Sequence, residues 1–197
     1  LGNILTFVRR LDRGWRQAQD SSWNHYQAGE LKGSTATVVG QGPIGRTIVD
    51  RLNAFDVTTI GVRYTPSKGG PADEVIGFDD ADIHEALART DHLVLACPLT
   101  DLTAKLIDEE ALLLLPTHAT LVNVARGEIV DTDALVDALQ TNKIRGAALD
   151  VTAPEPLPAD SPLWKLENCH ITPHNAGHTP KYWDRCADIV ENALGDS

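Results

Sequence analysis

The 197-residue sequence contains no methionine, only three cysteines and no long run of apolar residues. A translated chain begins with Met, so a sequence that starts at Leu1 and lacks Met is expected to be a processed or engineered part of a longer protein. The odd number of cysteines, with no CxxC pair and no zinc spacing, favours a reduced, cytoplasmic protein without a metal site. Apolar runs such as residues 111–115 fall far short of the ~18 residues of a membrane-spanning helix, and the first residues lack the layout of a secretory signal. We therefore expect neither a membrane protein nor a secreted one.

Positive charge, and lysine in particular, is also scarce. Asp and Glu number 28 against 17 Lys and Arg, which gives a formal net charge of −11. Such a surface repels phosphate backbones, so we expect no nucleic-acid partner. Asp supplies 19 of the acidic residues and Lys only six of the basic ones, a composition that stays hydrated in concentrated salt. Two interpretations remain open, a halophilic source and an ordinary acidic cytoplasmic protein.

Short apolar segments alternate with helical segments along most of the chain. The predicted strands are residues 35–39, 57–62, 92–96, 120–124, 145–149 and 169–172. The predicted helices between them are residues 44–55, 83–88, 108–114 and 131–139. Strands that are apolar throughout are typical of a parallel sheet covered by helices on both faces. The alternation therefore predicts an α/β fold, a Rossmann-type doubly wound parallel sheet with right-handed crossovers.

The first residues carry a separate helical pattern. Ile4, Val8, Leu11 and Trp15 recur at helical spacing, so residues 1–27 are predicted to form one helix. The arginines between these positions are interpreted as a solvated face, or one packed against acidic neighbours, rather than as a surface for membranes or nucleic acid.

A glycine pattern joins the first predicted strand to the helix that follows it. It reads Gly40-Gln41-Gly42-Pro43-Ile44-Gly45. In a strand–turn–helix context, Gly40 allows the tight turn, Gly42 lets the backbone approach a pyrophosphate, and Gly45 lets helix and strand pack closely. The positive end of the helix dipole, at Pro43 and Ile44, would then face the phosphates. The alternative is a glycine turn without a ligand.

The end of the second predicted strand indicates which dinucleotide would bind. An NAD site places Asp or Glu about 20 residues after the glycines to hold the ribose 2′-hydroxyl, yet this segment contains no acid. Arg63 stands there instead, followed by Tyr64, Thr65, Ser67 and Lys68, and its guanidinium suits a 2′-phosphate. We therefore expect a preference for NADP, with NAD possible. The alternative is an exposed arginine without a ligand.

Further segments carry a resemblance to a known family. They are ACPLTDLT at residues 96–103, LVNVARGEIVD at 121–131, ALDVTAPEPLP at 148–158 and ITPHNAG at 171–177. With the glycine pattern, their order and spacing resemble the D-2-hydroxyacid dehydrogenases, which include phosphoglycerate dehydrogenases and glyoxylate/hydroxypyruvate reductases. The resemblance covers nearly the whole chain but only the coenzyme-binding part of that family. It implies reversible hydride transfer between NADP(H) or NAD(H) and a small 2-keto or D-2-hydroxy acid.

The resemblance assigns the chemistry to Arg126, Glu155 and His174. A guanidinium can grip an α-carboxylate through two parallel hydrogen bonds, and an imidazole can exchange a proton with the reacting oxygen near neutral pH. A carboxylate bonded to the imidazole would orient the ring and favour its protonated form. Taken singly, each residue also has a structural alternative: a loop-bridging arginine, a solvated acid in a proline-rich turn and a packed interior histidine.

The resemblance also implies further coenzyme contacts after the ends of the strands. Cys97 and Pro98 would meet a ribose, with Cys97 acting as a small packing residue rather than a nucleophile. The remaining positions would touch the adjacent ribose or phosphate, the nicotinamide and its carboxamide, and they are Thr103, Val124, Ala125, Asp150, His174 and Ala176.

The domain organisation follows from the same resemblance. Residues 1–30 would be the hinge helix and linker, 31–176 the dinucleotide-binding domain, and 177–197 the start of the return helix toward a substrate domain that is largely absent. We expect the chain alone to bind dinucleotide but to turn over little 2-keto acid, and the full-length protein to dimerise through its hinge helices. The alternative function is a dinucleotide-sensing, corepressor-like regulator on the same scaffold, which activity toward a panel of 2-keto acids would exclude.

Overall fold

The computed structural model describes residues 1–195. Seven strands pair in parallel in the order β3-β2-β1-β4-β5-β6-β7. Their bounds are β1 Thr35–Val39, β2 Thr58–Val62, β3 Glu74–Ile76, β4 His92–Leu95, β5 Thr120–Asn123, β6 Gly146–Leu149 and β7 Cys169–Ile171. The six predicted strands are confirmed to within a residue or two at each end. β3 was not predicted, because it is a three-residue, half-buried strand at the edge of the sheet without an apolar run.

Helices cover both faces of the sheet. The helices of the described residues are α1 Gly2–Arg9, α2 Leu11–Gln19, α3 Pro43–Asn53, α4 Asp80–Ala88, α5 Glu109–Leu114, α6 Thr132–Gln140 and α7 Tyr182–Gly195, and those packed in the two cores exclude α2 and α7. Aspartates cap several of them, as Asp131 does by accepting the backbone N–H groups of Asp133 and Ala134. No helix in the part of the chain that the structure describes is long and apolar enough to cross a membrane.

The apolar strands divide their side chains between two cores. Val38 and Val94 point to the face covered by α1 and α3, where they pack with Val49 of α3. Val39 and Leu95 point to the opposite face, where the core also includes the apolar side of α5 and α6. Because both faces of the sheet are buried, the strands do not alternate between apolar and polar residues and are apolar throughout. The doubly wound fold expected from the sequence is confirmed.

The prediction of one helix over residues 1–27 is wrong. α1 ends at Arg9, Arg10 adopts a left-handed conformation with φ of 51°, and α2 ends at Gln19. The break has a tertiary cause. The Gly29 N–H donates to the Val8 carbonyl at 2.8 Å, and the Arg9 guanidinium donates to the Gly29 carbonyl at 2.9 Å. The Gly29 N–H thus occupies the Val8 carbonyl, which in a continuous helix would accept the N–H of the residue four positions later. As a result, α1 packs on the sheet but α2 does not, and no residue of α2 is buried.

Candidate active site at the carboxyl edge of the sheet

The predicted site residues follow the carboxyl ends of the strands. In a parallel sheet these ends share one edge, and ligands bind where the strand order reverses, here between β1 and β4. Gly40 follows β1 and Cys97 lies just beyond β4, while the loops after β5, β6 and β7 carry Arg126, Asp150 and His174. The fold therefore brings the glycine turn and the predicted catalytic residues to one edge.

Two glycines of the turn are required by close packing. Gly40 has φ of 101°, and a Cβ there would stand 2.6 Å from the carbonyl oxygen of Ala96. A Cβ on Gly45 would collide with the carbonyl oxygen of Gly40. The first turn of α3 can therefore lie directly on the end of β1 only if both positions lack side chains.

Gly42 differs, because no atom lies within 4 Å of the place where its Cβ would stand. It is the N-cap of α3, and Pro43 begins the helix. The N–H groups of the first helical turn have no intrahelical partners, so they can bind an anion in this open space. Ile44 is exposed beside it. The turn therefore fits a pyrophosphate by its shape and by its free donors.

The segment after β2 contains one guanidinium and no available acid. Arg63 is partly exposed, and its Nη1 donates to the carbonyl of Gly69 across the short 3-10 turn Pro66–Lys68. The next acids along the chain, Asp73 and Glu74, are already bonded to Thr59 and Arg89. Tyr64 is exposed, and Thr65 precedes the turn. A polar group at this end of β2 would thus meet Arg63 and no carboxylate.

Arg126 stands on a turn that a buried asparagine holds. Asn123 donates from Nδ2 to the Arg126 carbonyl at 2.8 Å and accepts the Ala125 N–H at Oδ1 at 2.9 Å. The exposed guanidinium of Arg126 donates to the Ala125 carbonyl at 2.6 Å, and no carboxylate of the described residues lies within ion-pair distance of it. Val124 is partly buried beside the turn. Arg126 is therefore free to bind an external carboxylate.

His174 and Glu155 form a hydrogen-bonded pair. Nδ1 of His174 lies 2.6 Å from Oε1 of Glu155, and the two side chains are 48% and 41% exposed. His174 has φ of 49°, and its backbone N–H donates to the Asp150 carbonyl at 2.7 Å. Because Glu155 accepts at Nδ1, the ring is oriented and Nε2 remains for a substrate. This is the geometry of a general acid and base with an orienting carboxylate.

Comparison with known proteins agrees with this geometry. The family profile described as "D-isomer specific 2-hydroxyacid dehydrogenase, NAD binding domain" matches residues 1–176. The chain belongs to this family. It is 39% identical to a glyoxylate reductase of Thermofilum pendens over 201 residues, which cover 98% of this chain and 59% of that protein.

Solved structures show the same similarity. A D-isomer specific 2-hydroxyacid dehydrogenase from Xanthobacter autotrophicus Py2, in complex with NADPH and MES, has a TM-score of 0.80 and 31% identity, covering 87% of this chain and 54% of that one. An NAD-dependent formate dehydrogenase from Staphylococcus aureus, in complex with NAD, has a TM-score of 0.85 and 33% identity, covering 98% and 58%. The chain thus spans less than two thirds of the length of these relatives, and it corresponds to their NAD-binding domain.

Within this dehydrogenase domain, Asp150 binds the loop that carries His174. Its buried carboxylate accepts the Thr172 hydroxyl at 2.5 Å, the Ala176 N–H at 2.9 Å and the Asn175 N–H at 3.1 Å. Burial raises the pKa of Asp150, but these hydrogen bonds and the nearby His174 together outweigh burial and leave the pKa below its ordinary value. Asp150 therefore stays ionised and organises the loop. Its predicted contact with the nicotinamide carboxamide stays a prediction.

The loop after β4 of the domain is closed by its own hydrogen bonds. The hydroxyl of buried Thr103 donates to the Pro98 carbonyl at 2.8 Å and accepts the Thr100 N–H at 2.8 Å. Burial raises the pKa of the Cys97 thiol to about 11, so the thiol is neutral and suited to packing. Thr103 thus shapes the loop, and a direct contact between its hydroxyl and coenzyme stays a prediction.

Sequence reasoning missed the residues that position the predicted ones. Asn123 and Thr172 lie inside recognised motifs, but their roles depend on partners that only the folded chain brings near. Gln41 lies between two motif glycines, and its side chain is buried against Gly61 and Gly70. No spacing rule in the sequence points to these contacts.

Proposed function

We propose that this chain is the coenzyme-binding part of an NADP(H)-preferring dehydrogenase acting on a 2-keto or D-2-hydroxy acid. The observation that carries the proposal is the 2.6 Å hydrogen bond between His174 and Glu155, at the sheet edge that also holds the glycine turn and Arg126. A bound nicotinamide coenzyme would supply or receive the hydride. The remaining chemistry, binding of the carboxylate and movement of a proton, falls to residues of this chain.

Arg126 would bind the substrate carboxylate. A guanidinium offers two parallel N–H donors that match the two oxygens of a carboxylate, and a charge-assisted pair of this kind is stronger than neutral hydrogen bonds. The Asn123 hydrogen bonds fix the backbone on which Arg126 stands, so the side chain alone has to be ordered when the acid binds.

His174 would move the proton. In the reducing direction protonated His174 donates from Nε2 to the oxygen of the keto group, and in the oxidising direction the neutral ring accepts that proton. Glu155 keeps Nδ1 engaged, so the ring presents the same nitrogen in both directions. The Asp150 hydrogen bonds hold the His174 loop in place while the ring changes charge.

Three features of the β2 end support the preference for NADP(H). Arg63 is the first residue after β2, no acid lies in residues 63–72, and Asp73 and Glu74 are bonded elsewhere. A 2′-phosphate carries negative charge that a guanidinium binds well, whereas a ribose 2′-hydroxyl is usually held by a carboxylate.

Replacing Arg63 by Asp tests this preference. We expect the Kd for NADPH to rise about 30-fold, corresponding to the ~2 kcal/mol typical of a hydrogen bond to a charged group. The Kd for NADH should change less than about threefold, because NADH lacks the phosphate that the new carboxylate would repel. Calorimetric titration of the chain with each coenzyme measures both values. The matched control is Arg51→Asp on the exposed end of α3, and equal losses for NADPH and NADH in Arg63→Asp would contradict the proposal.

The chain alone should turn over little 2-keto acid. Arg126 is exposed, and the His174 and Glu155 side chains are 48% and 41% exposed, so water reaches the groups that would carry out the reaction. We propose that the part of the relatives outside this domain encloses the substrate. Reduction of pyruvate and hydroxypyruvate, followed through NADPH absorbance, is expected to be near background for the 197 residues. Robust turnover would contradict this expectation.

We further propose that the whole protein is a cytoplasmic homodimer. The expected dimer contact lies on the hinge helices of residues 1–30, but the apolar face of α1 packs inside this chain, since Ile4 and Phe7 are buried in the core. Support comes instead from Leu11, Trp15 and Trp23, which are exposed on α2 and the segment that follows it. These apolar side chains are suited to contact a second copy.

A further inference from the structure

Gln41 carries a buried oxygen without a hydrogen-bond partner. Among the described residues, its Oε1 is the one buried side-chain polar atom in this condition. The amide nitrogen faces the carbonyls of Val38 and Gly40 at 3.3 and 3.4 Å, and carbonyls can only accept. The nitrogen must therefore point to the glycine turn and the oxygen must point away from it. A buried acceptor left unpaired is costly, so a donor is expected in some state of the protein.

The oxygen points toward the loop that bears Arg63. A Cβ on Gly70 would stand 3.1 Å from Oε1, and a Cβ on Gly61 would stand 2.7 Å from Cδ of the same amide. The side chain therefore fills the space between the glycine turn, β2 and Gly70. Since Gly61 and Gly70 lack side chains, the amide can lie this close to the backbone of β2 and of the loop.

Among the described residues, the peptide between Gly69 and Gly70 is hydrogen-bonded at its carbonyl only. Its carbonyl accepts the hydrogen bond from Arg63, whereas the Gly70 N–H makes no backbone or side-chain hydrogen bond among the described residues. Gly69 has φ of 57°, and two consecutive glycines give this peptide unusual freedom to rotate. In the part of the chain that the structure describes, the Gly70 N–H is therefore an unpaired donor on the residue that lies against Gln41 Oε1, in a peptide whose carbonyl is bonded to Arg63.

We propose that Gln41 is a positioning residue that sets coenzyme selectivity through this peptide. When Arg63 turns from the Gly69 carbonyl to a 2′-phosphate, the peptide rotates and the Gly70 N–H donates to Gln41 Oε1. The hydrogen bond forms only with the phosphorylated coenzyme, because NADH has no 2′-phosphate to compete with the Gly69 carbonyl for the Arg63 guanidinium. The inference rests on the proposed NADP(H) function and adds a residue that never touches the phosphate.

The test compares Gln41→Met with the unchanged chain. Met keeps the size of the side chain but removes its acceptor and its amide donors, and the bonds from those donors to Val38 and Gly40 are lost alike in the free chain and in both complexes. We expect the Kd for NADPH to rise about tenfold and the Kd for NADH to stay within about twofold, since one hydrogen bond is lost in one complex only. In an Arg63→Ala background the same substitution should no longer change the ratio of the two Kd values. Gln140→Met, the same change on the exposed end of α6, is the control.

Hydrogen exchange of the Gly70 amide in the unchanged chain tests the inference even if Gln41→Met does not fold. Protection is expected with NADPH and not with NADH, a result that a purely structural role of Gln41 would not produce. Equal protection in the two complexes, or equal loss of both affinities in Gln41→Met, would overturn the inference. If the unchanged chain prefers NADPH but Gln41→Met does not alter the ratio, the inference alone fails. If the unchanged chain shows no preference for NADPH, the proposed selectivity fails and the inference fails with it.

Discussion

Gly45→Ala is expected to lower the free energy of unfolding by about 3 kcal/mol, the upper part of the usual range for overpacking a buried site. Its Cβ would meet the carbonyl oxygen of Gly40, a residue that itself has no room for a Cβ beside the Ala96 carbonyl. Neither neighbour is the flexible end of a side chain, so α3 or the turn must move as a unit. The displaced turn should also lose measurable binding of both coenzymes.

Gly42→Ala is the matched variant for this prediction. Its Cβ would meet no atom within 4 Å, so the stability of the free chain should change by less than about 1 kcal/mol. Binding of NADPH and NADH should nevertheless weaken, because the methyl group occupies the space through which a pyrophosphate approaches. Urea unfolding and calorimetry measure the two effects. A Gly45→Ala chain as stable as the unchanged one would show that the close packing of helix on strand is not required.

Acidification is expected to destabilise the protein through His92. The ring is buried with Nδ1 at 2.8 Å from the Thr120 hydroxyl, and burial lowers its pKa from 6.5 to about 4. Between these two pKa values, His92 is protonated in the unfolded chain and neutral in the folded chain. The stabilisation is complete above pH ~6.5 and is lost as the pH falls toward the folded pKa. Between pH 7.5 and 4 the loss should be about 3 kcal/mol from this residue alone.

His92→Gln isolates this contribution, because glutamine can keep a hydrogen bond to Thr120 and does not titrate. Urea unfolding at pH 7.5 and 4 should show that the variant loses about 3 kcal/mol less stability than the unchanged chain over this interval. His25→Gln, at an exposed position, should leave the loss unchanged. The same pH dependence in the His92→Gln and unchanged chains would contradict burial of a neutral imidazole.

The sheet could be predicted from sequence because its determinants are local. Strands buried on both faces are apolar throughout, and the glycine turn is defined by the six residues from Gly40 to Gly45. Edge strand β3 escaped prediction because its residues are only half buried and carry no such signal. The break at Arg10 was not predicted either, since it depends on Gly29, whose carbonyl accepts from Arg9 twenty positions earlier. Periodicity cannot report such a contact.

The residues of the candidate site likewise fall into a predictable group and one that could not be predicted. Arg126, Glu155 and His174 lie in motifs with a familiar order, and the structure places them at one edge, although their catalytic roles stay predictions. The supporting hydrogen bonds could not be predicted, because they join distant segments. The Asp150 carboxylate accepts the N–H of Asn175, which lies 25 positions later in the chain, and only the folded structure brings the two together. The pattern of the sequence therefore indicates the reacting groups better than it indicates what holds them.

Calorimetric titration of the folded chain with NADPH and NADH tests most directly whether the turn at Gly40–Gly45 binds a dinucleotide. Saturable binding of both coenzymes at one site is expected, with the lower Kd for NADPH because Arg63 meets its 2′-phosphate. If neither NADPH nor NADH binds to a sample whose folding is verified by cooperative unfolding, the proposed function is contradicted.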